Sequence, residues 1–120
     1  MGVTKVSTVL KNPLKRGRGL TVTLEVDTGA FYTLVPGSLL GKLGIRPRKT
    51  ETFELADGKA IRRAVGWAQL CVDGRETLTE VVFGAKRDAA LLGVTTIEQL
   101  GFHIDPLRRR LVPIRKFLLH

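Results

Sequence analysis

An acidic side chain stands where two strand-like segments meet, which is a position suited to chemistry. Residues 20–26 alternate apolar and polar side chains, and this two-residue period is typical of a half-buried strand. Asp27, Thr28 and Gly29 follow, and β-propensity returns over residues 31–35. A carboxylate held at such a turn can act as a general acid or base. Asp and Gly also favour ordinary turns, so the triplet alone favours a structural role, and only its context favours chemistry.

The rest of the chain is predicted to be mostly strands, with two short helices. Strands are predicted over residues 3–10, 50–56, 59–72, 75–83, 102–105 and 111–114, and helices over residues 37–43 and 96–100. Two Asp-Gly pairs, Asp57-Gly58 and Asp73-Gly74, each lie between strand-like segments and predict hairpins. Thr95 and Glu98 predict a capping box for the second helix.

Two residues of the long middle strand raise separate expectations. Gly66 predicts a bulge or a close approach of another backbone segment. Trp67 is expected to pack in the core or at the base of the first hairpin rather than to bind a ligand.

Three features together resemble a known family. They are Asp27-Thr28-Gly29-Ala30 between two strands, the Asp57-Gly58 hairpin, and the buried run Leu91-Leu92-Gly93 before a short helix. With them the sequence resembles the retropepsin-like (retroviral-type, clan AA) aspartic proteases, from about Thr21 to Ile114. We interpret it as a single-domain bacterial or archaeal member. The resemblance implies an all-β half-barrel with a flap hairpin and one or two short helices. Residues 1–120 would form one domain, with residues 115–120 a tail or an interface segment.

The resemblance also assigns roles to individual residues. It implies a homodimeric aspartic endopeptidase in which Asp27 is catalytic, Thr28 bonds across the dimer axis, Gly29 lets the substrate backbone approach and Ala30 lines the floor. The flap would lie over residues 53–62, with substrate-binding positions at Leu55, Ala56, Asp57, Gly58, Lys59 and Ala60. Supporting positions behind the catalytic loop would be Thr33, Leu91, Leu92 and Gly93.

Hydrolysis of a peptide bond by carboxylates explains why such a site needs two chains. One carboxylate must be ionised to activate water, and a second must be protonated to polarise the carbonyl. Two carboxylates at close range share one proton because like charges cannot both ionise there. The sequence offers one suitable aspartate, Asp27, so an identical chain related by a two-fold axis would supply the other.

Departures from the viral pattern bear on recognition. Viral members often have acidic residues directly after the alanine, whereas Phe31 and Tyr32 stand here, which indicates more apolar subsites. Pro113 removes a hydrogen-bond donor from the last strand, so the terminal sheet of the viral dimer is not expected in the same form.

Composition excludes several classes of protein and leaves others open. One Cys and two His argue against a disulfide framework and a cysteine-built metal site, and the resemblance implies neither a metal nor an organic cofactor. No apolar run approaches the roughly 20 residues of a membrane span, and no signal peptide is recognised, so the sequence predicts a cytoplasmic protein without a membrane partner. The net charge of +9 is compatible with a nucleic-acid-binding face, but the basic clusters are spread along the chain at predicted turns and no nucleic-acid-binding motif accompanies them, which favours a solvated basic surface. A non-catalytic peptide-binding module of the same fold and a basic nucleic-acid-binding domain remain alternatives.

Overall fold

A computed structural model describes residues 4–114. Its nine strands and two helices, in chain order, are β1 (Lys5–Lys11), β2 (Leu20–Asp27), β3 (Thr33–Pro36), α1 (Gly37–Lys42), β4 (Lys49–Glu54), β5 (Ala60–Val72), β6 (Arg75–Gly84), β7 (Leu91–Gly93), α2 (Val94–Leu100), β8 (Phe102–Asp105) and β9 (Arg110–Pro113). The all-β expectation is confirmed, and the predicted strands and helices agree with these bounds to within a few residues. The strand predicted over residues 3–10 starts in the undescribed part of the chain, and residues 115–120 also lie outside the described residues.

Six strands close into a barrel. Hydrogen-bonded neighbours follow the order β1-β2-β7-β3-β6-β5, and β5 pairs back onto β1. Most neighbours are antiparallel, but β2 pairs with β7 and β3 pairs with β6 in parallel. Closure removes the unpaired edges that an open sheet would present. Strands β8 and β9 follow the barrel strands along the chain and pair only with each other, as a separate two-stranded sheet.

Strand β5 is long because it serves two structures. Its second half pairs with β6 from Val65 to Val72, within the barrel wall. Its first half pairs with β4 instead, so the β4–β5 hairpin projects beyond the barrel. The β5–β6 hairpin turns tightly at Asp73 (φ 50°) and Gly74 (φ 78°), the two left-handed residues that a two-residue turn of this kind requires.

Gly66 and Trp67 mark the point where the two halves of β5 meet. Pairing with β6 continues without interruption at Gly66, so a bulge is not formed. The close approach predicted there is confirmed. A Cβ at Gly66 would lie 2.9 Å from the carbonyl oxygen of Arg46, in the segment that crosses over β5. Trp67 is 43% exposed, so the expectation that it packs in the core is wrong. Strand alternation explains this, because its neighbours Gly66 and Ala68 face inward and are buried.

The core is aliphatic and fills the barrel. Its fully buried leucines come from both ends of the chain and are Leu10, Leu24, Leu40, Leu70 and Leu92. Helix α2 contributes Ile97 and Leu100 to the same cluster. This helix ends at Gly101, which adopts the left-handed conformation (φ 81°) that the predicted stop requires. No helix within residues 4–114 is long and apolar enough to cross a membrane.

An ion pair ties the projecting hairpin to the loop before β7. The Arg63 guanidinium donates to both carboxylate oxygens of Asp88, at 2.7 and 3.1 Å, and the Ala85 N–H donates to the same carboxylate at 2.7 Å. The hydrogen bond from Arg63 holds the pKa of Asp88 below its usual value, although partial burial opposes the shift. The pair therefore favours the folded state only while Asp88 is ionised.

We expect the Asp88→Asn variant to be less stable than the wild type at pH 7, with a difference that disappears in acid. A carboxyl with a lowered folded-state pKa adds stability above its unfolded pKa of about 4, and this is lost as the pH falls through the folded value. Urea midpoints measured for both proteins between pH 7 and pH 2 test this. Two curves that stay parallel over the whole range would contradict it.

Candidate active site

The loop of residues 27–32 begins where β2 ends, and we call it the catalytic loop because it carries the candidate acid Asp27. Asp27 is the last residue of β2 and is partly exposed. Its Oδ1 accepts the Gly29 N–H at 2.9 Å, and its backbone carbonyl accepts the Ala30 N–H at 3.2 Å. These two local bonds are typical of an Asx turn, and they fix one carboxylate oxygen while the other stays available. Thr28 and Gly29 are exposed beside it.

Strand β7 and the start of α2 hold this loop from behind. Asp27 lies opposite Gly93 in the parallel pairing of β2 with β7. The Val94 N–H donates to the Ala30 carbonyl at 2.8 Å, and the Thr95 N–H donates to the Phe31 carbonyl at 3.3 Å. The predicted capping box is therefore wrong: Gly93 is the N-cap without a side-chain cap bond, because loop carbonyls already satisfy the first N–H groups of α2.

Gly93 leaves room for the catalytic loop to cross. A Cβ built on Gly93 would lie 2.4 Å from both the carbonyl carbon and the oxygen of Tyr32. Those are backbone atoms, which cannot move aside without displacing the loop. The predicted placement of Leu91-Leu92-Gly93 behind residues 27–32 is what the structure has, with Leu92 fully buried.

Three threonine hydroxyls form a buried chain beneath the loop. Thr33 Oγ1 accepts the Gly93 N–H at 3.0 Å and donates to Thr96 Oγ1 at 2.7 Å. Thr96 Oγ1 in turn lies 3.2 Å from Thr79 Oγ1. Buried hydroxyls need such partners, so these contacts join β3, β6, β7 and α2 at one point.

We expect Thr33→Val to destabilise the fold by about 1–3 kcal/mol, because the substitution leaves the Gly93 N–H buried without an acceptor. Thermal or urea unfolding measures the effect. Thr33→Ser keeps the hydroxyl and is expected to retain most of the stability. A valine variant as stable as the serine variant would show that the hydroxyl contributes nothing.

A cleft of about 520 Å³ opens between the catalytic loop and the β4–β5 hairpin. The loop contributes Gly29, Ala30, Phe31 and Tyr32 to its lining. The remaining lining residues come from the barrel and the hairpin and are Leu34, Glu51, Thr52, Phe53, Glu54, Leu55, Ile61, Val82 and Leu91. Tyr32 and Phe53 meet edge to face, with ring centroids 5.2 Å apart at 74°. This contact joins the loop to the hairpin across the cleft.

Comparison with known families decides what this arrangement belongs to. The family model described as aspartyl protease matches residues 14–96, more than half of the chain. The chain belongs to the retropepsin-like aspartyl protease family. The matched residues include the whole catalytic loop, the β4–β5 hairpin and the Leu91 to Gly93 strand.

Among solved structures, this family member is similar in fold to the simian foamy virus (mac) protease, known from a solution structure. The match has a TM-score of 0.57 at 24% identity and covers 80% of this chain and 93% of that chain. At that identity the likeness establishes the fold alone. No curated protein matches the chain.

The β4–β5 hairpin, which the family resemblance predicts to be a flap, reaches the cleft through only part of the predicted residue set. Leu55 lines the cleft, whereas the exposed residues 56–60 form the tip and are absent from the lining within the described chain. The Gly58 N–H donates to the Leu55 carbonyl at 2.9 Å, and Gly58 is left-handed (φ 86°). Asp57 Oδ1 accepts the Lys59 N–H at 2.9 Å, so Asp57 shapes the turn.

Sequence reasoning did not identify several residues of this site. The cleft-lining residues Glu51, Leu34 and Val82 carry no motif and are recognised only from the assembled barrel. Thr79 left no sequence signal either: it is buried on β6 while its apolar neighbour Leu78 is exposed, so the pattern of residue types does not show which of the two faces the core. Within residues 4–114, no group of three or more His, Cys, Asp or Glu side chains could hold a metal ion.

Proposed function

We propose that this chain is an aspartic endopeptidase that acts as a homodimer, in which each chain supplies one Asp27 to a shared pair. The observation that carries the proposal is a single turn-fixed aspartate beside a cleft lined by Gly29 and Ala30. The other four aspartates have different places: Asp57 and Asp73 lie in hairpin turns, Asp88 pairs with Arg63, and Asp105 accepts N–H groups of the β8–β9 turn. A second Asp27 would therefore come from a second chain.

The proposed chemistry needs one proton shared by the two carboxylates. The ionised carboxylate takes a proton from a water molecule, and at the same time the water oxygen bonds to the carbonyl carbon of the scissile peptide. The protonated carboxylic acid gives its proton to the carbonyl oxygen, which yields a neutral tetrahedral diol. As the C–N bond breaks, the carboxyl that took the proton of water gives it to the leaving nitrogen, and a diol hydroxyl gives its proton to the other carboxylate, so the pair again holds one proton. No metal and no organic cofactor takes part in this sequence.

The surrounding residues support binding of an extended polypeptide. Gly29 and Ala30 present little side-chain bulk, so a substrate backbone can come close to the carboxylates. Phe31, Tyr32 and Phe53 give the cleft an apolar, aromatic wall, which favours apolar substrate side chains. Thr28 is exposed at the loop and is the proposed hydrogen-bonding partner of the second chain's loop.

Serial dilution tests the shared site directly. Cleavage of an unfolded protein is measured per chain while sedimentation follows the monomer–dimer equilibrium. We expect activity per chain to fall as the dimer dissociates and to vanish in the monomer. Constant activity per chain down to fully monomeric protein would overturn the proposal. Tight binding of unfolded protein without any turnover would instead support a non-catalytic peptide-binding module.

A further inference from the structure

A groove on the outer face of the barrel, separate from the cleft, exposes apolar side chains. Leu14 (93% exposed), Trp67 (43%) and Leu78 (53%) line this cavity of about 560 Å³, which we call the outer groove. Trp67 on β5 and Leu78 on β6 both face outward. Trp67 pairs with Glu80, so Leu78 lies two residues along β6 from the partner of Trp67. A clustered apolar surface of this kind is typical of a binding site, whereas scattered single residues are not.

Hydrogen bonds to backbone groups hold the two walls of the outer groove in place. On one side Asn12 Nδ2 donates to the Leu43 carbonyl at 3.0 Å, and its Oδ1 accepts the Leu14 N–H at 2.9 Å. On the other side the Arg48 N–H donates to the Val65 carbonyl at 2.7 Å, next to the close crossing at Gly66. The groove is therefore a formed feature of the fold.

The charge of the outer groove has one sign. Lys15, Arg46 and Arg48 line it, and no carboxylate is among its lining residues in the described chain. Arg48 stacks over the Trp67 ring at 5.3 Å and pairs with Glu80, so it is partly neutralised. Lys15 and Arg46 are exposed and have no ion pair among the described contacts. An occupant that complements this surface would carry acidic groups between apolar ones.

The outer groove is linked to the cleft through shared residues. A small pocket of about 100 Å³ is lined by Phe31, Tyr32 and Trp67 together with Thr79 and Glu80. Phe31 and Tyr32 also line the cleft, and Trp67 also lines the outer groove. Thr95, Thr96 and Gln99 complete its lining, so three aromatic side chains set among polar ones connect the cleft to the outer groove. Phe31 is itself 72% exposed along this path.

We propose that the outer groove binds a segment of the polypeptide substrate that carries acidic and apolar side chains, beyond the residues held in the cleft. This inference rests on the proposed endopeptidase function, because only an endopeptidase has a polypeptide substrate. The groove supplies apolar contact at Trp67 and Leu78, and its cations select acidic segments. Long unfolded substrates would then bind more tightly than short peptides that fill only the cleft.

The test uses Trp67 itself, which is the single tryptophan of the chain. The wild-type protein, with its cleft filled and its turnover blocked by a statine-type transition-state mimic, is titrated with an unstructured peptide of alternating glutamate and leucine. We expect a saturable change in Trp67 emission that weakens as salt is added. A peptide with lysine in place of each glutamate is expected to bind about tenfold more weakly or worse. Emission that does not respond to the acidic peptide would overturn the inference.

Matched variants locate the binding. Leu78→Ser is expected to weaken the acidic peptide about fivefold by removing apolar contact, whereas Leu107→Ser, at a residue 92% exposed in the β8–β9 turn, is expected to have no effect. Arg46→Glu is expected to weaken it about fivefold and to flatten the salt dependence. Lys86→Glu makes the same charge change in the loop before β7 and serves as its control. Equal effects of groove and control variants would contradict the inference.

The outcomes separate the groove from the catalytic proposal. If the peptide binds at Trp67 but no protein is cleaved, the groove stands as a peptide site and the endopeptidase function fails. If cleavage occurs while Leu78→Ser treats long and short substrates alike, the groove inference fails and the catalytic proposal stands. Trp67 emission that changes with protein concentration alone, and not in Leu78→Ser, would mean that a second copy of the chain occupies the groove.

Discussion

The Asp27→Asn variant is expected to lose cleavage of an unfolded protein by about a thousandfold or more. The amide keeps an oxygen that can accept the Gly29 N–H, so the turn that fixes residue 27 survives. It cannot take a proton from water, so the attacking nucleophile is not generated. Cleavage is followed on gels or with a quenched substrate, while circular dichroism and sedimentation report the fold and the assembly.

The control for this variant is an identical substitution in a similar turn. Asp105 Oδ1 accepts the Leu107 N–H at 3.0 Å, as Asp27 accepts that of Gly29, but it lies in the β8–β9 turn outside the cleft. Asp105→Asn is expected to keep full activity. Mixing wild-type and Asp27→Asn chains should lower activity as the square of the wild-type fraction, because a mixed pair lacks one acid. Full activity of Asp27→Asn would rule the mechanism out.

Replacing Gly93 by alanine is expected to cost on the order of 3 kcal/mol or more and to abolish cleavage together with stability. The new methyl group would stand 2.4 Å from backbone atoms of Tyr32, a distance that only a shift of the catalytic loop can relieve. Such a shift would also break the bonds from Val94 and Thr95 to the loop carbonyls. Thermal unfolding and the cleavage assay measure both losses.

Gly41 provides the matched control. It lies inside α1, and a Cβ there would meet nothing within 4 Å. Gly41→Ala is expected to leave activity unchanged and to stabilise the protein by about 0.5–1 kcal/mol, because alanine loses less backbone entropy in a helix. A Gly93→Ala protein that unfolds at the wild-type temperature would contradict the steric argument.

Much of the fold follows from local sequence signals. The two Asp-Gly pairs mark both hairpins correctly. Asp73 and Gly74 both adopt the positive φ angles of a tight turn, whereas in the other turn only Gly58 does and Asp57 accepts the Lys59 N–H. The alternation in residues 20–26 predicts β2 and places Asp27 at its end. The position of Leu91-Leu92-Gly93 behind the loop came from the family resemblance rather than from periodicity.

The features that sequence did not predict depend on contacts between distant segments. Thr95 and Glu98 have the spacing of a capping box, yet the carbonyls of Ala30 and Phe31 accept the first N–H groups of α2 instead. Nothing local to Thr79 or Thr96 shows that their hydroxyls meet. Trp67 was predicted to pack in the core or at the base of the first hairpin, whereas the inward-facing positions of this part of β5 belong to its neighbours.

The three-residue strand β7 has a consequence for how the protein is made. It lies between β2 and β3 in the barrel, yet it is synthesised long after both of them. The carbonyls of the loop that carries Asp27 have no donors to hold them until residues 91–96 have left the ribosome, because the N–H groups of Val94 and Thr95 donate to them. Contacts between such distant parts of a chain form late in folding. A growing polypeptide therefore completes this loop only after residues 91–96 have been synthesised, and other molecules in the cell meet the finished loop only from that point on.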